Sequence, residues 1–201
     1  LPTKVLADKR GFVYALCKGL YQGAVTYDSE GKFIGYFGAN RVEATIEVLT
    51  GMLWRRIMTS EQIGKLERNV PDEFSNFDID ENGFIYTCTE ISKNQTNQLK
   101  KINPKGSNIL KNNPLQQGSF AGNFGDLEIK YYQGELIQTR FVDVSYDSQG
   151  YINALDFTKG RVFQYSKDSQ LICIFGGTAN QRGTFINPVA IDNMGDKLLV
   201  L

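Results

Sequence analysis

The chain contains no histidine. The side chain that most often acts as a general base near neutral pH, and most often ligates transition metals, is therefore missing from any mechanism these residues could support. An excess of either charge is lacking too, with 22 Lys plus Arg set against 22 Asp plus Glu. No overall field draws the protein to nucleic acid or to an anionic membrane, so an electrostatic partner would have to recognise a local patch. No apolar run approaches the roughly 18 residues that a membrane-spanning helix needs, and no basic-then-apolar leader opens the sequence. Cysteine is scarce: Cys17, Cys88 and Cys173 are far apart, and each sits in an apolar, strand-like run. Free, buried thiols are expected from that pattern rather than a disulfide framework.

What is abundant points to strands and tight turns: 13 Phe, 10 Tyr and 20 Gly. Four stretches share one pattern, an apolar strand closing on Asp, then two residues, Gly, and a second apolar strand. They read VLADKRGFVYALC from Val5, FDIDENGFIYTCT from Phe77, VSYDSQGYINALD from Val144 and VAIDNMGDKLLVL from Val189. Asp8, Asp80, Asp147 and Asp192 correspond, as do Gly11, Gly83, Gly150 and Gly195. An Asp at the first position of a turn caps backbone N–H groups two and more residues on, and a Gly three residues later accepts positive φ, so each motif predicts a hairpin. Calcium binding by these carboxylates is the weaker reading, because the other oxygen ligands of a calcium loop do not follow them.

A second turn follows each of the first three hairpins, at Gly31, Gly106 and Gln170, which makes each unit a four-stranded meander. Units of this size, repeated, predict β-propeller blades. The expected organisation is a blade over 1–40, a helical insertion over 41–70, a blade over 71–113, a loop with an extra strand pair over 114–139, a blade over 140–178 and the start of another over 179–201. The helical insertion rests on Val42, Ile46, Leu49, Leu53 and Ile57 at helical spacing. Trp54, Arg55 and Arg56 at its edge are expected to pack against the outside of the sheets.

The phrase Asn187-Pro188-Val189-Ala190-Ile191-Asp192, the placement of Asp156 five residues before Arg161-Val162-Phe163-Gln164-Tyr165, and the closing phrases FGAN and FGGT resemble the NHL-repeat family of six-bladed, TolB-like propellers. The third unit carries the pattern best. The second departs from it, with Thr89 or Glu90 where the strand-ending Asp would stand and no Arg before Ile102. The resemblance implies a ring of blades whose innermost strands line a channel, with Asp156 and Arg161 as a structural pair inside one blade. It implies no single activity, since such propellers include protein-binding and RNA-binding modules, bacterial extracytoplasmic proteins, and relatives among lactonases and lyases. Three blades and part of a fourth are fewer than most rings contain, so further blades, or another copy pairing along the open strand edge, are expected to complete this one.

The leading expectation for function is a non-catalytic binding or scaffold domain of a bacterial cell-envelope or secreted protein, with a cytoplasmic location as the alternative. Its mouth would be lined by Asn76, Arg140, Asp143 and Asn187 and would hold a small polar ligand or a peptide end, or dock a protein. No catalytic residue, cofactor or metal site is assigned. A metal-dependent, lactonase-like hydrolase using channel carboxylates is the second reading. RNA binding through Lys93, Lys100, Lys101, Lys105 and Lys111 is the third, weakened by the lack of interleaved aromatics for base stacking, so nucleic acid is not an expected partner.

Overall fold

The computed structural model describes residues 1–39, 72–90, 98–110, 124–126 and 130–201. The helical expectation for 41–70, with Trp54, Arg55 and Arg56, lies outside them, as do Lys93 and Lys111. Among the described residues the chain is all-β, without a helix, and so without one long and apolar enough to cross a membrane.

The first sheet runs β1 (Pro2–Ala7), β2 (Val13–Cys17), β3 (Gly23–Tyr27) and β4 (Phe33–Gly38), each strand antiparallel to the next. The second holds β5 (Asn76–Ile79), β6 (Ile85–Cys88) and β7 (Leu99–Ile102). A short pair, β8 (Lys130–Tyr132) and β9 (Glu135–Ile137), falls in the segment expected to be a loop with an extra strand pair. The third sheet is β10 (Phe141–Tyr146), β11 (Ile152–Asp156), β12 (Arg161–Tyr165) and β13 (Leu171–Gly176), and the last is β14 (Ile191–Met194) with β15 (Lys197–Val200).

Side-chain chemistry at the turns sets this meander. Asp8 Oδ1 accepts hydrogen bonds from the N–H groups of Arg10 and Phe12, Asp80 Oδ1 from Asn82 and Phe84, and Asp147 Oδ1 from Gln149 and Tyr151. Gly11, Gly83 and Gly150 take the positive φ that closes each turn. The second turn of each unit repeats the device with whichever short oxygen is present: Asp28, Asn103 and Ser166 each accept from the N–H groups two and four residues on.

Two positions differ from the sequence reading. The counterpart of Gly31 and Gly106 is Ser169, at φ 67, and not Gln170. Ser169 is fully buried, and its hydroxyl finds no hydrogen-bond partner among the described residues. Ser169→Gly relieves both costs and is expected to raise stability by about 1 kcal/mol, read as a higher urea midpoint at unchanged slope; an unchanged or lower midpoint would count against this account. In the last hairpin Met194 pairs with Lys197, so the turn is Gly195–Asp196, and Asp192 lies inside β14 with its carboxylate on the N–H of Asn193. A two-residue turn needs no Asp at its first position, which is why the motif there matches in letters and differs in geometry.

Apolar clusters fill the space between successive sheets. Tyr14 and Leu16 of the first meet Phe77, Ile85 and Ile102 of the second. Tyr86, Cys88 and Leu99 of the second meet Val144, Ala154 and Phe163 of the third, and Leu155 and Val162 of the third meet Ile191 of the last. Of the three cysteines only Cys88 is buried; Cys17 is half-buried, and Cys173 is exposed because every residue of β13, the last strand of its sheet, is exposed.

Candidate functional site

The first strands of the four sheets stand side by side in the order β1, β5, β10, β14, and two buried carboxylates tie them together. Asp78 accepts from its neighbour Ile79 through Oδ1 and from Tyr146, in the next sheet, through Oδ2, both at 2.8 Å. Asp143 repeats this one sheet further on, accepting from Val144 at 2.8 Å and from Ile191 at 2.9 Å. Lys4 reaches from β1 past the second sheet to place its Nζ 3.5 Å from Asp143 Oδ1. Three sheets thus meet at one line. Burial pushes both carboxyls above the usual 3.8, and the amide donors and Lys4 offset only part of that cost.

At the end where these strands begin lies a cleft of about 540 Å³. The first sheet contributes Thr3 and Cys17, with Lys18 and Tyr21 just beyond; the lead-in to β5 contributes Asp72, Glu73 and Phe74. Glu90 and Val142 close the far side. Two polar contacts brace it. Glu73 Oε2 accepts the N–H of Gly19 at 2.6 Å, tying the lead-in to the first sheet. Arg140 Nε donates to Glu90 Oε1 at 2.8 Å while its guanidinium lies over the ring of Phe157. Both partners of that ion pair are about half exposed, so its value is positional rather than energetic.

The four residues expected at the mouth are therefore dispersed. Arg140 reaches the cleft through Glu90. Asn76 follows the lining residue Ser75, but its Oδ1 accepts the N–H of Phe77. Asp143 follows the lining residue Val142 and is buried against β14, and Asn187 sits at φ 50 in the exposed approach to β14. The lining residues missed by the sequence reading, Asp72, Glu73, Lys18 and Tyr21, lie in loops just outside the strands, where only the way the sheets meet brings them together.

Elsewhere ionic groups hold neighbouring segments together. Asp156, fully buried, accepts from the N–H groups of Arg140 and Thr158 and from Arg161. Arg161 also grips Asp126, which Lys159 contacts from the other side. Burial raises the Asp126 carboxyl, but these two cations outweigh it and hold the group below its ordinary value. Phe124 and Gly125 anchor that segment, Phe124 edge-on to Tyr165 and the Gly125 N–H on the Tyr165 hydroxyl. Lys101, part of the expected basic patch, lies over the rings of Phe84, Tyr86 and Tyr146. The aromatics absent from the local sequence are thus supplied by folding and already hold an ammonium. Among the described residues no group of three or more carboxylates or thiols is placed to hold a metal ion. Neither a family model nor a curated protein matches the chain.

Proposed function

We propose that this chain is a non-catalytic binding domain built as part of an NHL-type β-propeller, of the kind found in bacterial cell-envelope and secreted proteins. The propeller reading is supported by the meandering sheets, by the order of their first strands, and by the meeting of Lys4 with Asp143 across an intervening sheet. The cleft carries the binding reading: it sets one ammonium, Lys18, and the carboxylates Asp72 and Glu73 in a concavity shared with the apolar Phe74 and Val142 and the half-exposed ring of Tyr21. Opposite charges beside apolar surface suit the end of a peptide, whose terminal charge and first side chain need both. A hydrolase would need its axial carboxylates open to a metal or to water, whereas Asp78 and Asp143 are engaged by amides of the neighbouring sheet.

Calorimetric titration with short peptides bearing free ends tests this. Saturable binding is expected, weakened about tenfold by Glu73→Gln, a loss of roughly 1.4 kcal/mol, and similarly by Tyr21→Ala. Binding that ignores both substitutions, or no saturable binding across a peptide panel, would remove the cleft as the site.

A further inference from the structure

We infer that the seam between the third and last sheets holds a second binding site, at the turn end of the strands and so opposite the cleft, and that it takes the cationic side chain, lysine or arginine, of a partner polypeptide. The site is a cavity of about 140 Å³. Asp147, Gln149 and Tyr151 of the β10–β11 turn and Gln164 of β12 contribute to its wall, as do Asp196 and Lys197 of the last hairpin.

The two earlier sheets show which chemical group sits at this place. Phe12, Phe84 and Tyr151 each stand four residues after their turn aspartate, Asp8, Asp80 and Asp147. In the first sheet the Arg10 guanidinium lies 5.0 Å from the centre of the Phe12 ring and donates to Asp8 Oδ2. In the second the Lys101 ammonium lies 4.7 Å from the centre of Phe84 and 5.1 Å from that of Tyr86. Each is a cation on an alkyl stem, seated against a ring. Arg10 is exposed and Lys101 half-buried although a further sheet packs on each of theirs. The place over the ring therefore opens to solvent by its position at the turns.

The third sheet keeps the ring and lacks the cation. Gln149, two residues after Asp147, holds the position of Arg10, and Gln164 that of Lys101, because Asn153 pairs with Gln164 as Tyr86 pairs with Lys101. Both glutamines line the cavity, and Gln164 is turned to Asn153, donating to its Oδ1 at 2.9 Å. Asn153 is also smaller than the tyrosine of the second sheet, which leaves room beside the ring. Among the described residues no cation lies over Tyr151. The turns repeat the pattern: Lys9 pairs with Glu81 of the following turn, whereas Ser148 stands at the position of Lys9 and Asp196 is in no ion pair among the described residues. Two carboxylates to one ammonium leave the wall net negative. A ring, uncompensated negative charge and space for one head group are what a side-chain cation needs.

Amide NMR titration with the blocked tripeptide acetyl-Gly-Lys-Gly-amide tests this, and having no free ends it does not probe the cleft. Saturable shifts at the amides of Tyr151 and Gly195 are expected with this peptide or its arginine analogue, the tighter of the two naming the side chain. The expected Kd is on the order of 1 mM, weakening as salt is raised. A norleucine analogue, which keeps the stem without the charge, is expected to bind about tenfold more weakly, as is the lysine peptide to Tyr151→Leu. Gln149→Arg puts on the third turn the side chain that the first turn carries. It is expected to fill the site from within and abolish the shifts, with the urea midpoint unchanged or higher. Equal binding of charged and norleucine peptides, full retention of the shifts in Gln149→Arg, shifts confined to cleft amides such as Gly19, or no saturable shift at all overturns the proposal. Gln149→Arg leaves the cleft intact, so titration with free-ended peptides judges that site separately.

Discussion

Phe163→Ala is expected to lower the unfolding free energy by about 4 kcal/mol. Phe163 is fully buried in β12, edge-on to Phe141 at 5.6 Å and parallel to Tyr165 at 6.2 Å, with the Arg161 guanidinium 4.8 Å from its ring centre. It belongs to an apolar cluster that the second and third sheets build together, with Tyr86, Cys88 and Leu99 from the second, so no single element can move to fill the space left behind, and the transfer and cavity costs add. Of a total stability on the order of 5–15 kcal/mol, this is a large share. Urea titration followed by tyrosine and tryptophan fluorescence checks it. Leu171→Ala, in the same sheet but exposed, is expected to cost less than about 1 kcal/mol. A similar, small loss from both would show that the space between the second and third sheets is not the centre of the core.

Asp143→Ala is expected to cost about 3 kcal/mol, because it strands the buried N–H groups of Val144 and Ile191 and takes the partner from Lys4. The isosteric Asp143→Asn separates charge from hydrogen bonding. The folded-state carboxyl of Asp143 lies above its ordinary value, so as pH falls toward 3.8 the folded protein takes up its proton before the unfolded chain does. Its contribution to stability therefore rises as pH falls and is lost as pH rises through the raised value. Asn cannot take up that proton. The stability gap between the protein and Asp143→Asn is expected to widen from pH 7 toward pH 4, which urea midpoints at several pH values measure. Asp126 works in the opposite sense, stabilising above its unfolded value and losing that contribution in acid. A gap that narrows on acidification would mean that Asp143 is held down by Lys4 rather than pushed up by burial.

The turns were legible in the sequence because four residues carry their whole chemistry: an oxygen, two spacers and a residue that tolerates positive φ. Legibility failed where that logic was met by other letters, at Ser169, or where the letters recurred without the logic, at Asp192. The carboxylate ties could not be read at all. Asp78 and Asp143 sit in strands as ordinary alternating polar residues, and their partner amides, on Tyr146 and Ile191, lie 68 and 48 residues away. Of the four residues expected at a mouth, Asn76 and Asp143 turn to backbone amides of their own or a neighbouring sheet and Asn187 lies in the approach to β14, while Arg140 reaches the cleft through Glu90. A strand's first residues are visible in sequence; the direction each side chain takes depends on a bulge such as that between Phe141 and Asp143. The continuous apolar run around Cys173 leads to the expectation of a buried thiol, yet Leu171–Gly176 is exposed, since an apolar run says that a surface seeks cover and not whether cover is there.

Between sheets the main chain makes no continuous ladder, so the seams at Tyr146 and Ile191 are fastened by side-chain oxygens. Those two amides are consequently built-in gauges of seam opening: each can exchange its hydrogen only when one sheet detaches from the next, which gives every joint in the series its own clock.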